Sequence, residues 1–283
     1  MQRIILAVLS DTHGGFTLGL MNPNVTLYDE THEGQLVPFT PEPTASQDYL
    51  WDLYLHHLDM VQELAGERPI IGIHNGDLTQ GNRHRTALVS TRSADQIIIA
   101  AANLHPLLSL PTLSHMMVVA GTEAHNFGQG GSDILVGEML KDKHPSKNID
   151  VLYHGLADIG GVSVDYAHHG PYPGSREWLK GNVARYYLQS MMIHAIKHGH
   201  KPPDLVIRAH YHTPVIETVR INGYTSTIVV SPSMCMVDDY AHQAAKSPDD
   251  VTCGMLVYEI VNDKLLDIHE FTKTFDTRTE YFL

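Results

Sequence analysis

Acidic and imidazole side chains recur in this sequence at the ends of apolar segments. The first such segment, residues 4–9, is followed by Asp11 and His13 at a spacing of i, i+2. Alternate residues of a strand share one face, so both side chains converge on one ion if the extended geometry continues that far. A single Asp-x-His is weak support for a metal site, because an ordinary polar strand end gives the same pattern.

The pattern returns four more times along the chain. Further apolar segments end at residues 74–77, 121–125, 168–170 and 210–212, and each end carries carboxylate or imidazole groups. Functional groups in sheet proteins gather where strand ends meet loops, so these five ends predict a single site. Mixed imidazole and carboxylate ligands suit manganese, iron, nickel or zinc better than calcium.

Taken in order, the five segments resemble the motifs of the calcineurin-like metallophosphoesterases: Asp11-x-His13, Gly76-Asp77, Gly121-x-x-x-His125, His169-Gly170 and Ala209-His210-x-His212. The third motif departs from the family pattern, which usually reads Gly-Asn-His-Asp or Gly-Asn-His-Glu. Its sequence, Gly-Thr-Glu-Ala-His, is similar to that of a divergent branch associated with phage and prophage sequences. The resemblance implies an α/β (α+β) fold of two face-to-face mixed β-sheets flanked by helices, a four-layer αββα arrangement with the metals along one edge.

The resemblance also implies two divalent metal ions as cofactors, with manganese expected first and iron, nickel or zinc as alternatives. Asp77 would bridge the two ions, and the other ligands would be Asp11, His13, Glu123, His169, His210 and His212. Two metals about 3.5–4 Å apart neutralise phosphate oxygens and lower the pKa of a bridging water, which would be the nucleophile. His125 would act as general acid, since imidazole exchanges protons near neutral pH.

Two of these ligand positions have alternatives in the sequence. Neighbouring side chains on a strand point to opposite faces, so one of His168 and His169 ligates. His169 is favoured, because the family's histidine commonly precedes a glycine. Glu123 is the first candidate to replace the family's missing Asn, and Thr122 is the second.

The expected function is a metal-dependent phosphodiesterase acting on a small phosphoester, a nucleotide or a nucleic-acid-derived substrate. Arg83 and Arg176 are candidates to bind the substrate phosphate, since guanidinium groups make paired contacts with phosphate oxygens. Three alternatives stay open: a phosphomonoesterase, another metallohydrolase such as an amidohydrolase, and a catalytically silent metal-binding or assembly module of the same fold.

Composition limits the partners. The chain has 283 residues, of which 43% are hydrophobic and 18% charged, and its formal net charge is −13. This balance disfavours long nucleic acid, because sequence-independent binding relies on Lys and Arg at phosphates. A local basic patch from Arg83, Arg85, Arg176 and Arg185 leaves nucleic-acid processing open. The two cysteines give no disulfide framework, which favours a cytoplasmic protein. No apolar run reaches the roughly 20 residues needed to span a membrane, so no membrane partner is expected. A homo-oligomer is compatible with the sequence.

Periodicity and turn residues predict the elements that position these groups. Helices are expected at residues 46–65, 93–105, 132–143 and 177–198, the second ended by Pro106. Hairpins are expected to turn at residues 160–161, 222–223 and 262–264. Residues 1–271 are predicted to form one domain, in which residues 16–45 are a loop or lid, or a surface excursion, and residues 272–283 form a tail.

Overall fold

The computed structural model describes residues 3–83, 87–127, 131–174, 176–237 and 249–278. Its helices are α1 (Ala45–Ala65), α2 (Ser93–Leu108), α3 (Ser132–Lys143) and α4 (Asn182–Lys197), and a short 3-10 helix spans Glu177–Leu179. Its strands are β1 (Arg3–Leu9), β2 (Leu27–Glu30), β3 (Leu36–Phe39), β4 (Ile70–His74), β5 (Leu113–Val119), β6 (Asn148–Leu152), β7 (His154–Ile159), β8 (Val162–Ala167), β9 (Leu205–Arg208), β10 (Val215–Ile221), β11 (Tyr224–Val230), β12 (Asp250–Val261) and β13 (Lys264–Asp276).

The strands form two mixed sheets and one separate hairpin. The first sheet has the order β13-β12-β1-β4-β5-β6, and the second has the order β10-β11-β9-β8-β7. In the first sheet β1, β4, β5 and β6 run parallel, and in the second β8, β9 and β11 run parallel. The antiparallel strands lie at the outer positions of both sheets.

Both faces of β1 are buried, which explains its continuous apolar sequence. Leu6 and Val8 face the second sheet and pack with Val164 of β8. Ile5 and Leu9 face the other way and join the cluster that contains the apolar faces of α1, α2 and α3. On the far side of the second sheet, α4 packs through Ala184, Leu188 and Met192. The layers are therefore helices, sheet, sheet and helix, which confirms the predicted fold class.

The helices differ from the predicted ones mainly at their ends. α1 is capped by Thr44 rather than by Ser46, because the Thr44 hydroxyl accepts from Gln47 N and the Gln47 side chain accepts from Thr44 N. α2 continues through Pro106 to Leu108. Pro106 removes one helical donor, and the carbonyl of Ala102 accepts instead from Asn22 Nδ2 at 3.3 Å.

The predicted helix over residues 177–198 is divided into two pieces. After the 3-10 helix Glu177–Leu179 the chain reverses at Gly181, whose φ is 86°, and α4 begins at Asn182. A positive φ ends the first helical turn because it breaks the helical hydrogen-bond register. Residue 177 therefore does not present the N-terminus of a long helix.

The predicted hairpin turns are confirmed at residues 160–161, 222–223 and 262–263. Residues 16–45 are not wholly irregular, since β2 and β3 pair within them, and Met21, Val25 and Leu27 pack on Ile99 of α2. β13 runs to Asp276, beyond the predicted strand end at residue 271, because it stays paired with the equally long β12. No helix in the described part of the chain combines the length and apolar character needed to cross a membrane.

Candidate metal centre

The carboxyl ends of the parallel strands carry the five predicted motifs. Asp11 and His13 follow β1, Asp77 follows β4, and residues 121–125 follow β5. The two other motifs follow β8 and β9 of the second sheet. The structure brings these ends together at one edge of the two sheets, as strand ends in α/β proteins commonly are.

Five predicted ligands adopt left-handed backbone conformations: Asp11, His13, Asp77, His210 and His212 have φ between 46° and 76°. Such values are unfavourable for residues with a Cβ, and they cluster at functional sites. They also correct the expectation that Asp11 and His13 converge through an extended strand. β1 ends at Leu9, and the two side chains approach each other through a turn.

The first group of converging side chains contains Asp11, His13 and His212. Asp11 Oδ1 lies 3.2 Å from His212 Nε2 and 4.0 Å from His13 Nε2, and the two imidazole nitrogens are 3.2 Å apart. Asp11 Oδ1 is buried and accepts no hydrogen bond from the described part of the chain. One carboxylate oxygen and two imidazole nitrogens thus face a common point, which is the donor set that divalent transition metals take.

The second group surrounds Asp77. Asp77 Oδ2 lies 3.0 Å from His168 Nε2, 3.2 Å from Thr122 Oγ1 and 4.0 Å from His210 Nδ1. Its other oxygen accepts from Thr122 N at 2.6 Å. Asp77 also belongs to potential ligand sets with Asp11 and with His13, so its carboxylate lies between the two groups.

His168 occupies the position beside Asp77 for which His169 was predicted. His168 is 1% exposed, and its Nδ1 lies 2.7 Å from the carbonyl oxygen of Asn75. His169 is exposed, although its ring lies within 5 Å of the His210 ring and it can join a set with His168 and His210. The alternation of β8 carried the correct signal, since Val164 and Tyr166 face the first sheet and His168 continues that face.

The third motif places Thr122, and not Glu123, against the carboxylate of Asp77. Thr122 Oγ1 also lies 3.2 Å from His168 Nε2 and 3.1 Å from His210 Nδ1. Glu123 is exposed and lines a cleft instead. The geometry therefore corrects the choice of Glu123, because the backbone at Gly121 turns the Thr122 side chain inward.

His125 lies at the edge of both groups. Its Nε2 is 3.9 Å from Asp77 Oδ2, and its ring packs edge-on against the His13 ring at 4.6 Å. Its Nδ1 lies 2.7 Å from the Gln80 carbonyl oxygen. A carbonyl can only accept, so Nδ1 carries a proton and Nε2 is the atom presented to the site.

Buried polar residues that sequence reasoning did not assign hold these loops. Asp133 Oδ2 accepts from Gly121 N at 2.9 Å and from Asn126 Nδ2 at 2.8 Å, so it ties the third motif to α3. Burial raises the pKa of Asp133. The ring of His74 lies 3.0 Å from Thr12 Oγ1, and burial lowers the pKa of His74 to about 4. Their partners are distant in sequence, so no local motif marks them.

Burial and the charges of neighbouring groups shift the pKa values of the side chains in this centre. Burial, together with His125 and His212, lowers the pKa of His13 to about 3. Burial also opposes the charged form of His168, but Asp77 and Asp11 outweigh it and raise the pKa of His168 to about 9. Burial opposes ionisation of Asp77 as well, yet His168 holds the pKa of Asp77 well below its usual range. A proton on His168 thus balances a buried carboxylate in the metal-free chain, the role that a bound cation would take over.

The two predicted phosphate-binding arginines lie in different surroundings. Arg83 lines a cleft of about 320 Å³ beside His125, and the other lining residues are Asn82, Glu123, Ala124, Asn126 and Phe127. Arg176 is exposed, precedes the 3-10 helix and contacts none of the ligand candidates among the described residues. Arg85 lies outside the described residues.

No family model matches the sequence, and no curated protein is significantly similar to it. Among solved structures, Vps29 from Entamoeba histolytica, crystallised with zinc, is similar with 12% identity and a TM-score of 0.35, over 94% of this chain and 99% of that one. The sulfate thiohydrolase SoxB from Thermus thermophilus is similar with 10% identity and a TM-score of 0.38, over 98% of this chain and 57% of that one.

Proposed function

We propose that this protein is a metal-dependent phosphoester hydrolase that acts on phosphodiesters. The proposal is supported above all by the position of Asp77, whose carboxylate lies between two sets of candidate ligands. The order of the motifs, which resembles that of the calcineurin-like metallophosphoesterases, supports the same conclusion. The third motif, with Thr122 and His125, resembles that of a divergent branch associated with phage and prophage sequences.

The donor set fits two divalent cations. Asp11, His13 and His212 would hold one. Asp77 would hold the other together with His168 and His210, whose nitrogens lie 3.0 Å and 4.0 Å from Asp77 Oδ2. Asp77 also joins candidate sets with Asp11 and with His13, so its carboxylate would serve both ions. Imidazole with carboxylate favours manganese, iron, nickel or zinc over calcium. When bound, such ions neutralise phosphate oxygens and activate water.

The chain's own residues account for the remaining chemistry. In hydrolysis a water attacks phosphorus, the bond to the leaving oxygen breaks, and that oxygen needs a proton. His125 presents Nε2 to the site, and when the ring is doubly protonated it can give that proton to the leaving oxygen. The Gln80 carbonyl fixes the ring by accepting from Nδ1 throughout.

Thr122 and Thr12 maintain this geometry. Thr122 N and Oγ1 both contact the Asp77 carboxylate and hold its two oxygens in place. Thr12 contacts His74 through its hydroxyl and lies between Asp11 and His13. Loss of either contact would let a metal-binding side chain move, although every coordinating atom would still be present.

The test compares hydrolysis of bis-p-nitrophenyl phosphate and p-nitrophenyl phosphate by chelator-stripped protein, with manganese, nickel, iron or zinc added back. Metal-dependent turnover of the diester supports the proposal. Preference for the monoester would indicate a phosphomonoesterase instead. Metal binding without turnover of either ester would favour a silent module, a reading that the exposed Glu123 and the altered third motif also allow.

A further inference from the structure

Large aromatic side chains lie exposed on the segment that leaves the candidate metal centre after His169. Trp178 is 79% exposed and Tyr186 is 62% exposed, and Tyr172 lies on the same segment. Trp51, the other tryptophan of the chain, is buried. Several large aromatic side chains exposed on one segment make it a candidate interaction surface, because covering them removes a large apolar area from water.

This exposure is not the outer edge of a core. α4 turns Ala184, Leu188 and Met192 toward the second sheet. Its opposite face presents Tyr186 and Ile193 to solvent. A spacing of seven residues returns to the same side of a helix, so α4 has an apolar stripe on its solvent side as well as on its buried side.

The exposed segment is continuous with the candidate centre. The ring of Tyr172 packs edge-on against the ring of Tyr211 at 5.3 Å, and Tyr211 lies between His210 and His212 in sequence. The Tyr211 ring is 5.0 Å from the His210 ring. Gly181 N donates to the Pro173 carbonyl at 2.9 Å and closes the loop that carries Trp178. The aromatic residues thus extend outward from the ligand-bearing strand end.

The same region is basic within an acidic protein. Residues 170–203 contain five Lys or Arg and one acidic residue, whereas the formal net charge of the whole chain is −13. The guanidinium group of Arg185 lies over the Tyr186 ring, 5.5 Å from its centroid. Arg176 is exposed next to the 3-10 helix. Cationic and aromatic residues therefore alternate along this stretch of the sequence.

We propose that this surface, which we call the aromatic strip (Tyr172, Arg176, Trp178, Arg185 and Tyr186), binds single-stranded nucleic acid and leads its phosphodiester to the metal centre. Bases stack on exposed aromatic rings, and basic groups follow the phosphates. A duplex hides its base faces and needs a wide basic surface, which a chain of net charge −13 does not offer. This inference rests on the proposed phosphodiesterase function, since it names the substrate of the same site.

The experiment measures binding of a fluorescein-labelled phosphorothioate dT20, which resists hydrolysis, to the metal-loaded protein by fluorescence anisotropy. Trp178→Ala should weaken binding by roughly 10-fold or more, because stacking on one ring contributes about 1–3 kcal/mol. Trp178→Phe should restore most of the affinity. Tyr153→Ala is the control, because Tyr153 is 67% exposed and lies outside the strip. Trp178 fluorescence should be quenched on binding.

Several outcomes would overturn the inference. Equal affinities of the wild type and Trp178→Ala would do so, as would tighter binding of the matching duplex. Binding to phosphatidylglycerol vesicles in place of the oligonucleotide, lost in Trp178→Ala, would assign the strip to a lipid surface. A dimer that dissociates in Trp178→Ala, measured by light scattering, would assign it to a second copy of the chain.

Two further results distinguish failure of this inference from failure of the proposed phosphodiesterase function. Wild-type protein that hydrolyses bis-p-nitrophenyl phosphate but does not bind dT20 would remove only the aromatic strip from the account. Wild-type protein that binds dT20 through Trp178 but hydrolyses no ester with any added metal would retain the strip and overturn the phosphodiesterase.

Discussion

His168 Nε2 lies 3.0 Å from Asp77 Oδ2, and this contact joins the two sheets at their common edge. Asp77 follows β4 of the first sheet, and His168 follows β8 of the second. The Asn75 carbonyl accepts from His168 Nδ1 and so directs Nε2 at the carboxylate. The contact makes His168, rather than its neighbour His169, the better candidate ligand.

Replacing each of these two histidines tests that assignment. His168→Ala removes the nitrogen beside Asp77, so we expect the metal content to fall from two ions per chain to one, with loss of turnover. His169→Ala should retain two ions because its ring is exposed. Elemental analysis of the purified variants measures both. The reverse result would restore His169 as the ligand.

Asp77→Asn tests the bridging carboxylate. An amide keeps the shape of the side chain but removes the negative charge that lies between both groups. We expect metal affinity at both positions to fall, and activity to fall with it, measured by titration calorimetry and by diester hydrolysis. Unchanged stoichiometry and rate in this variant would count against a shared carboxylate.

His125→Ala tests the proton donor. We expect the variant to bind both metals and to lose about 10²–10⁴-fold in kcat, the usual contribution of a positioned acid. His115→Ala is a suitable control, because His115 pairs with Asp150 on the surface. The loss should be smaller for p-nitrophenyl leaving groups than for alkyl ones, which need the proton more. Full activity in His125→Ala toward both would exclude the role.

Gly121→Ala tests the geometry without removing a ligand atom. A Cβ at Gly121 would lie 2.1 Å from Asp77 Oδ1 and 2.2 Å from Asp77 N, so both the carboxylate and the backbone that carries it must move. A displacement of about 1 Å at a reacting centre can lower turnover on the order of 10²-fold. Gly131→Ala is the matched control, since no atom of the described residues beyond its chain neighbours lies within 4 Å of its added Cβ. Similar kinetics for both variants would show that the loop tolerates the shift.

His57 gives a prediction for stability that does not involve the metal centre. It is buried on α1, and burial, together with the neighbouring His56, lowers the pKa of His57 to about 4. The unfolded chain, with a pKa near 6.5, binds more protons between these values, so stability is full above pH 6.5 and falls toward pH 4.

Urea unfolding at pH 7 and pH 4.5 measures this effect in His57→Gln and in His56→Gln, whose native side chain is exposed. We expect His57→Gln to lose about 1–2 kcal/mol less stability between the two pH values than the wild type does. His56→Gln should stay close to the wild type, because burial, the larger cause of the low pKa of His57, is unchanged in that variant. The same pH slope in all three proteins would contradict the low pKa of His57.

Local sequence was sufficient for most helices and for the hairpin turns, because periodicity and turn residues act over a few positions. The two face-to-face sheets were predicted from the resemblance of the five motifs to a known family. It was insufficient where the partner lies far along the chain. Pro106 stays helical because Asn22 covers the exposed carbonyl of Ala102, and Thr122 faces inward because Asp133 binds the preceding amide. The alternation of β8 was used only to predict that one of His168 and His169 ligates, and His169 was chosen because the family's histidine commonly precedes a glycine.

The left-handed backbone at five candidate ligands has a consequence for metal uptake. Each such conformation costs about 1–3 kcal/mol, so an unfolded chain scarcely holds all five at once and offers no ready-made chelator. A metal held by these residues would therefore bind the native chain selectively and stabilise it, by about 2.7 kcal/mol at a concentration of 100 Kd. The midpoint of thermal unfolding then becomes a gauge of occupancy, and ranking cations by that midpoint would order their affinities without any substrate.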